Sequence, residues 1–268
     1  MSLRIQTNVE AFNAHRNLQG TQNKLAMSME RLSSGYRINR AADDAAGLAI
    51  SERLKAQIGG LDQSQRNAQD AVSLTQTAEG SLDQVHAMLQ RIRDLAVEYK
   101  NGTLSSTDQT SIQSEVNQLA SEIERIGASA QFNGIQLLSS TSTISFQVGA
   151  NDGEVISIST ISLGQTLGSA FSSLTASGTA DISEIDAAIN AVSAQRSGFG
   201  AVENRLNYTL NNSAIYQENL TSSESRIRDV DMASEMVNFT KLQILQQAGT
   251  SMLAQANQAG QGVLTLLR

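Results

Sequence analysis

Apolar residues recur with the most regular spacing at the two ends of the chain. Near the C-terminus they step alternately by three and four residues, at Leu242, Leu245, Gly249, Met252, Ala256, Ala259, Val263 and Leu266. Near the N-terminus, Leu18, Leu25 and Leu32 stand seven apart, with Met29 between the last two. This spacing is typical of a coiled-coil seam. Both ends are therefore predicted to be helices that pair with each other through these seam residues.

A second apolar stripe predicts one long helix that ends near Tyr99. It begins after Asp43-Asp44, since acidic residues suit a helix N-terminus, and Gly59-Gly60 is its predicted weak point. The later stripe positions are Leu82, Val85, Leu89, Ile92, Ala96 and Tyr99. About 55 residues at 1.5 Å per residue would extend roughly 80 Å, which is far longer than an ordinary globular helix.

Two more helices are predicted around a β-hairpin. One starts at a cap in Ser106-Thr107-Asp108 and runs to about Ala130, and the other covers positions 182–210. Between them the period changes to two, with apolar positions at Ile144, Phe146, Val148, Ile156 and Ile158. Such alternation on both sides of a turn-rich segment predicts a hairpin. Residues 159–180, rich in Ser, Thr and Gly, are predicted to be a surface loop.

These elements predict a mainly α protein with two parts. Long antiparallel helices form a terminal coiled-coil domain, and the helices between them form a bundle domain with a β-hairpin. The 268 residues include no proline, which permits long uninterrupted helices, and no cysteine, which excludes disulfides and thiolate sites.

Charge and hydropathy argue against several classes of protein. The net charge of −7, with few aromatic residues and no basic run, argues against nucleic-acid binding. No apolar run approaches the ~20 residues of a membrane span, so membrane insertion is not expected. The N-terminal segment also lacks the apolar core of a conventional signal peptide.

Candidate catalytic and metal-binding residues are few. The two histidines, His15 and His86, lie far apart in sequence and no HExxH motif is present. The acidic pairs Asp43/Asp44 and Asp229/Asp231 are interpreted as helix caps instead of acid–base couples. The sequence therefore indicates no enzyme, no cofactor and no metal site.

Several blocks resemble bacterial flagellins, and together they span nearly the whole chain. They are Ile5–Asn8, Leu32–Asn39, Ala41–Ile50, Gln90–Val97, Gln131–Gly134, Gln147–Glu154, Ile227–Ala233 and Val263–Arg268. The resemblance implies a short flagellin that lacks the variable outer domains, whose usual place is residues 159–180.

The resemblance also implies a domain organisation and a function. Residues 1–44 and 228–268 would form the two helices of domain D0, while 45–178 and 179–227 would form domain D1. Such a protein is the structural subunit of the extracellular flagellar filament and serves motility. It leaves the cell by the flagellar type III export route, and its partners are other copies of itself, an export chaperone, the cap and the hook–filament junction proteins.

Two host receptor sites are implied by the same resemblance. Gln90, Arg91, Leu95 and Glu115 match the flagellin surface that binds Toll-like receptor 5. In relatives this surface also contacts neighbouring subunits, so assembly alone would account for these residues. The C-terminal Leu264, Leu266 and Leu267 match the feature that the intracellular NAIP receptors recognise.

Two other classes share part of this pattern. A hook–filament junction protein has similar terminal seams and the same export route, although the Gln147–Glu154 hairpin argues against it. A non-flagellar coiled-coil binding module would form discrete oligomers and would not need the long run of matching blocks.

Overall fold

The computed structural model describes residues 7–164 and 182–266, with side chains as far as 258. Five helices and two small antiparallel sheets make up these residues. The helices are α1 (Val9–Ser34), α2 (Ala45–Tyr99), α3 (Ser106–Ser129), α4 (Ile182–Arg228) and α5 (Met232–Leu266). The strands are β1 (Gln131–Phe132), β2 (Ile135–Gln136), β3 (Thr143–Gln147) and β4 (Val155–Ser159). The predicted mainly α fold with a hairpin is confirmed.

Local side-chain hydrogen bonds set the helix ends. Helix α1 ends at Gly35, whose φ of 76° suits glycine in a left-handed C-cap. Asp44 Oδ1 accepts the Gly47 N–H at 2.8 Å and so caps α2 as predicted. The cap of α3 is Ser105, one residue before the predicted segment, because Ser105 and Asp108 form a reciprocal capping box. Hydrogen bonds from the hydroxyl and N–H of Ser105 lower the pKa of Asp108.

The chain divides into two compact units. The terminal unit comprises Met1–Ala56 with Asn219–Arg268, and the middle unit comprises Gln57–Glu218. These divisions lie inside α2 and α4, whereas the boundaries proposed from the sequence lie near the helix ends, after residues 44 and 227. The first turns of α2 and the last turns of α4 therefore belong to the terminal unit.

The middle unit has a continuous apolar core formed by α2, α3 and α4. The stripe predicted on α2 faces this core, with Leu82, Val85, Leu89 and Ile92 all buried. Other buried members come from α3 and α4 at helical spacing, namely Ile112, Val116, Ile123, Ile185, Val192 and Phe199. Burial of such side chains stabilises a fold by about 1.5–3 kcal/mol each.

The predicted β3–β4 hairpin is present and packs onto this bundle. Phe146 pairs with Ile156, and the inward residues Ile156 and Ile158 are buried. Amide side chains hold the hairpin on both sides, since Asn67 donates to the Gln147 carbonyl at 3.1 Å and Gln195 to the Ser159 carbonyl at 2.6 Å.

The segment that follows the hairpin is not a surface loop at its start. Thr160, Ser162 and Leu163 are buried, and the Thr160 hydroxyl donates to carbonyls of the preceding loop. The prediction for residues 160–163 is therefore wrong, because Leu163 joins the core and its polar neighbours satisfy their hydrogen bonds internally. Positions 165–181 lie outside the described residues.

Helix α2 continues unbroken through the predicted weak point at Gly59-Gly60. The two glycines differ in surroundings. A Cβ on Gly60 would lie 2.9 Å from the Ala150 Cβ of the hairpin turn, whereas a Cβ on Gly59 would meet nothing within 4 Å. Gly60 therefore permits the hairpin turn to approach the helix closely.

We predict that Gly60→Ala is less stable than Gly59→Ala by about 1–3 kcal/mol. Both substitutions gain the same helix propensity, but only the first overpacks the hairpin contact. Chemical denaturation of the two variants and the parent chain measures the difference. Equal free energies of unfolding for the two variants would contradict the assigned role of Gly60.

Candidate assembly surfaces

Helices α1 and α5 pair antiparallel within the terminal unit. Asn8 Nδ2 donates to the Ala256 carbonyl, Leu18 lies against Gly249, and Ser28 donates to Glu235. As one residue number rises along α1, its partner's number falls along α5, which defines the antiparallel direction. The predicted pairing of the two ends is thus present within the single chain.

The contact face of α1 contains the predicted seam. Leu18, Leu25 and Leu32 are half-buried, while Met29 is exposed because it points away from α5. Ser28 occupies the position beside the leucines that was assigned to Met29. It is 3% exposed and is the only buried residue of α1.

The contact face of α5 overlaps the predicted seam without matching it. Leu242, Gly249 and Ala256 are half-buried and face α1. A Cβ on Gly249 would lie 3.1 Å from Leu18 Cδ1, so the glycine permits close approach. Leu245 and Met252 are 46% and 64% exposed and lie beside the face that meets α1, and their assignment to the filament-core seam stays a prediction. The remaining seam residues, Ala259, Val263 and Leu266, belong to α5 but lie outside the described side chains.

An exposed apolar stripe runs along the flank and back of α5. At about 100° per residue, its members lie about 60° to 160° around the helix from Leu242, all on one side of it. They are Val237, Ile244, Leu245 and Met252. Helix α1 adds Val9, Phe12 and Met27, which are also exposed. We call these seven residues the outer apolar surface. Apolar side chains in this number on two paired helices indicate an interaction site.

The contact face also contains polar residues, which the predicted seam did not include. Glu235 is 8% exposed and its Oε1 accepts the Ser28 hydroxyl. Their spacing in the sequence could have indicated this position. Glu235 lies seven residues before Leu242, and Ser28 lies between Leu25 and Leu32 at helical spacing. Polar side chains at such positions specify register in paired helices.

The acidic pairs have capping and turn roles. Asp231 Oδ1 accepts the N–H groups of Ala233 and Ser234 and caps α5, as predicted. Asp43 instead stabilises the turn before α2, where hydrogen bonds from the N–H groups of Arg40 and Asn39 lower its pKa below 3.8. Because the folded-state pKa is lowered, this stabilisation is present above about pH 4 and is lost as the pH falls through the folded value.

The surface predicted around Gln90 lies in the middle unit. Arg91 on α2 and Glu115 on α3 form an ion pair, in which Arg91 Nη2 lies 2.8 Å from Glu115 Oε1. Both side chains are about half exposed. Gln90 is exposed and its amide lies 2.9 Å from His86 Nε2. Leu95 is 2% exposed and its side chain packs in the core beneath this surface, so its part in receptor binding stays a prediction.

The described residues form no cluster of side chains that could hold a metal ion. No set of three His, Asp or Glu side chains comes together within residues 7–164 and 182–258. In the same part of the chain, no helix has both the length and the hydropathy of a membrane span.

Comparison with known proteins identifies the family. The profile of the bacterial flagellin N-terminal helical region matches residues 5–143, and that of the C-terminal helical region matches residues 182–267. The chain belongs to the bacterial flagellin family. Flagellins are structural subunits of the extracellular flagellar filament, so this chain is a filament protein that serves motility and is not an enzyme.

Individual relatives agree over almost the full length. The flagellin of Halalkalibacterium halodurans is 51% identical over 98% of this chain and 99% of its own. The flagellin of Bacillus subtilis is 46% identical over 99% of this chain and all of its own. The crystal structure of Bacillus cereus flagellin superposes with a TM-score of 0.52 at 34% identity, covering 55% of this chain and 88% of that one.

We predict unequal losses of stability at two residues of the region around Gln90 and Glu115. Leu95→Ala removes a buried side chain and should cost about 2–5 kcal/mol. Arg91→Ala removes only an exposed ion pair and should cost less than about 1 kcal/mol. Urea denaturation of the flagellin subunit measures both. A Leu95→Ala variant as stable as the parent would contradict the placement of Leu95 in the core.

Proposed function

We propose that this flagellin polymerises by burying its outer apolar surface against neighbouring copies, with the α1–α5 pair in the filament core. The observation that carries the proposal is the exposure of Val237, Ile244, Leu245 and Met252 on a helix already paired through another face. Burial of apolar area contributes about 25 cal/mol per Å². Growth also requires a heterologous contact that does not close, since a closed ring would end the polymer.

We predict that Leu245→Asp blocks polymerisation and leaves the free subunit folded. Leu245 lies on the flank of α5 and is 46% exposed, so a carboxylate there keeps its hydration in the free subunit but is buried, uncompensated, between subunits. Electron microscopy and sedimentation measure assembly, and circular dichroism checks the fold.

The matched control is Gln243→Asp. Gln243 is exposed on the other flank of α5, about 100° from Leu242, and lies outside the outer apolar surface. This variant carries the same added charge on the same helix and should form filaments. Normal filaments from Leu245→Asp, or equal failure of both variants, would refute the proposed role of the apolar stripe.

We further infer the finer partners from the family. These are the flagellar export chaperone, the cap and the hook–filament junction proteins during assembly, and NAIP and Toll-like receptor 5 in hosts. Leu264 and Leu266 belong to α5, but their side chains, and all of Leu267, lie outside the described part of the chain. The NAIP assignment therefore rests on the resemblance of these three leucines alone.

Toll-like receptor 5 binding is the second candidate function, and the exposed Arg91–Glu115 pair favours it. A half-exposed guanidinium and carboxylate can each exchange their mutual contact for a partner's polar group. Gln90 lies beside Arg91 and is also exposed. Leu95 would act only indirectly, by supporting the helix from the core.

We expect Arg91→Ala to weaken activation of a receptor reporter cell line by monomeric flagellin about tenfold or more, as for a central interface arginine. The matched control is Arg66→Ala, which removes another exposed ion pair of α2, with Asp62 at 2.6 Å. If the two variants activate equally, the assignment of the receptor site is wrong.

A further inference from the structure

The last residue of α4 joins three segments of the terminal unit. The guanidinium carbon of Arg228 lies 4.7 Å from the centre of the Tyr36 ring, and Arg228 Nη1 lies 2.9 Å from Glu52 Oε1. Tyr36 belongs to the connector after α1, and Glu52 to the second turn of α2. We propose that Arg228 is a positioning residue that holds the base of the α1–α5 pair against the start of α2. Arg228, Tyr36 and Glu52 are called the Arg228 clasp.

The backbone beside this clasp brings the two connectors together. Tyr36 and Asp229 form an antiparallel bridge, in which the Arg37 N–H donates to the Arg228 carbonyl at 2.7 Å. The Val230 N–H donates to the Gly35 carbonyl at 3.0 Å. Gly35 closes α1 and Val230 precedes α5 by two residues. The bridge therefore joins the two helices where their paired segment begins.

The Arg228 side chain makes more than an exposed ion pair. It is only 16% exposed, although its partner Glu52 remains half exposed. A guanidinium stacked on an aromatic ring gains cation–π attraction that grows as water is excluded. Its Nε is buried without a hydrogen-bond partner among the described residues. Stacking on Tyr36 and pairing with Glu52 are thus the two side-chain contacts that we infer position the group.

The shape of the guanidinium distinguishes this role from simple charge. Lysine would keep the positive charge but lose the planar group that stacks on Tyr36 while reaching Glu52. Phenylalanine at position 36 would keep the aromatic face. The proposal thus requires Arg228→Lys to behave like Arg228→Ala, and Tyr36→Phe to behave like the parent chain.

The same unit offers a matched control. Arg40 and Glu30 form an ion pair at 3.0 Å that also joins a connector to α1. Arg40 is largely exposed, and no aromatic ring of the described residues lies beneath its guanidinium. Arg40→Ala removes a comparable ion pair without removing a stacked guanidinium, and should leave the base of the helix pair in place.

The test measures the position of α1 relative to α2. The chain has no cysteine, so Met29→Cys on α1 and Lys55→Cys on α2, both exposed, take nitroxide labels selectively. Filaments containing a small share of labelled subunits should give a narrow distance distribution for the parent, Tyr36→Phe and Arg40→Ala. Arg228→Ala and Arg228→Lys should broaden it. The critical concentration for assembly should rise about tenfold in both Arg228 variants, which corresponds to about 1.4 kcal/mol.

The measurement of critical concentration rests on the proposed function, because it requires the chain to polymerise. The Arg228 clasp and the proposed function can nevertheless fail separately. Filaments of Arg228→Ala with the parent's distance distribution and critical concentration would overturn the clasp alone. If the parent chain forms no filaments, the proposed function fails. The same labels in the free subunit then decide the clasp, which is supported by a narrow parent and a broad Arg228→Ala distribution and overturned by equal widths.

Discussion

The antiparallel pairing of the two chain ends is the interaction on which the outer apolar surface depends. Leu18 against Gly249 and Ser28 against Glu235 hold α1 and α5 together through one narrow face of each helix. Small and polar residues in this face permit close approach and specify register, and its leucines are only half-buried. The pairing thereby turns the larger side chains, such as Ile244 and Met252, towards the outside.

The middle unit, in contrast, buries its large apolar side chains. Its apolar side chains, including Leu89, Ile123 and Phe199, face one another and are buried within the single chain. The hairpin completes that core, and Gly60 gives its turn space to approach α2. A unit with its own core holds surface groups such as the exposed Arg91–Glu115 pair in fixed positions. The terminal unit instead leaves an apolar stripe exposed, which is why we propose that it is the part buried between subunits.

The roles of several acidic side chains in local structure agree with this division between the two units. Titratable groups act there as caps, turns and ion pairs: Asp44 and Asp231 cap helices, and Asp43 accepts two backbone N–H groups. Even the buried Glu235 serves a contact between helices. These side chains fix helix ends, turns and helix contacts, as expected of a structural protein of a filament.

The sequence by itself determined the helices, the hairpin and the stripe on α2, because helical and strand periods are properties of local backbone geometry. It also indicated that the two ends pair. Only the tertiary structure decided which neighbour covers each residue. A three-and-four spacing marks one broad side of a helix, and adjacent positions such as Leu245 and Gln246 compete for the contact. The placement of α1 against α5 turned Leu245 outwards, the bundle drew Leu95 and Leu163 into its core, and neither outcome follows from spacing along a single helix.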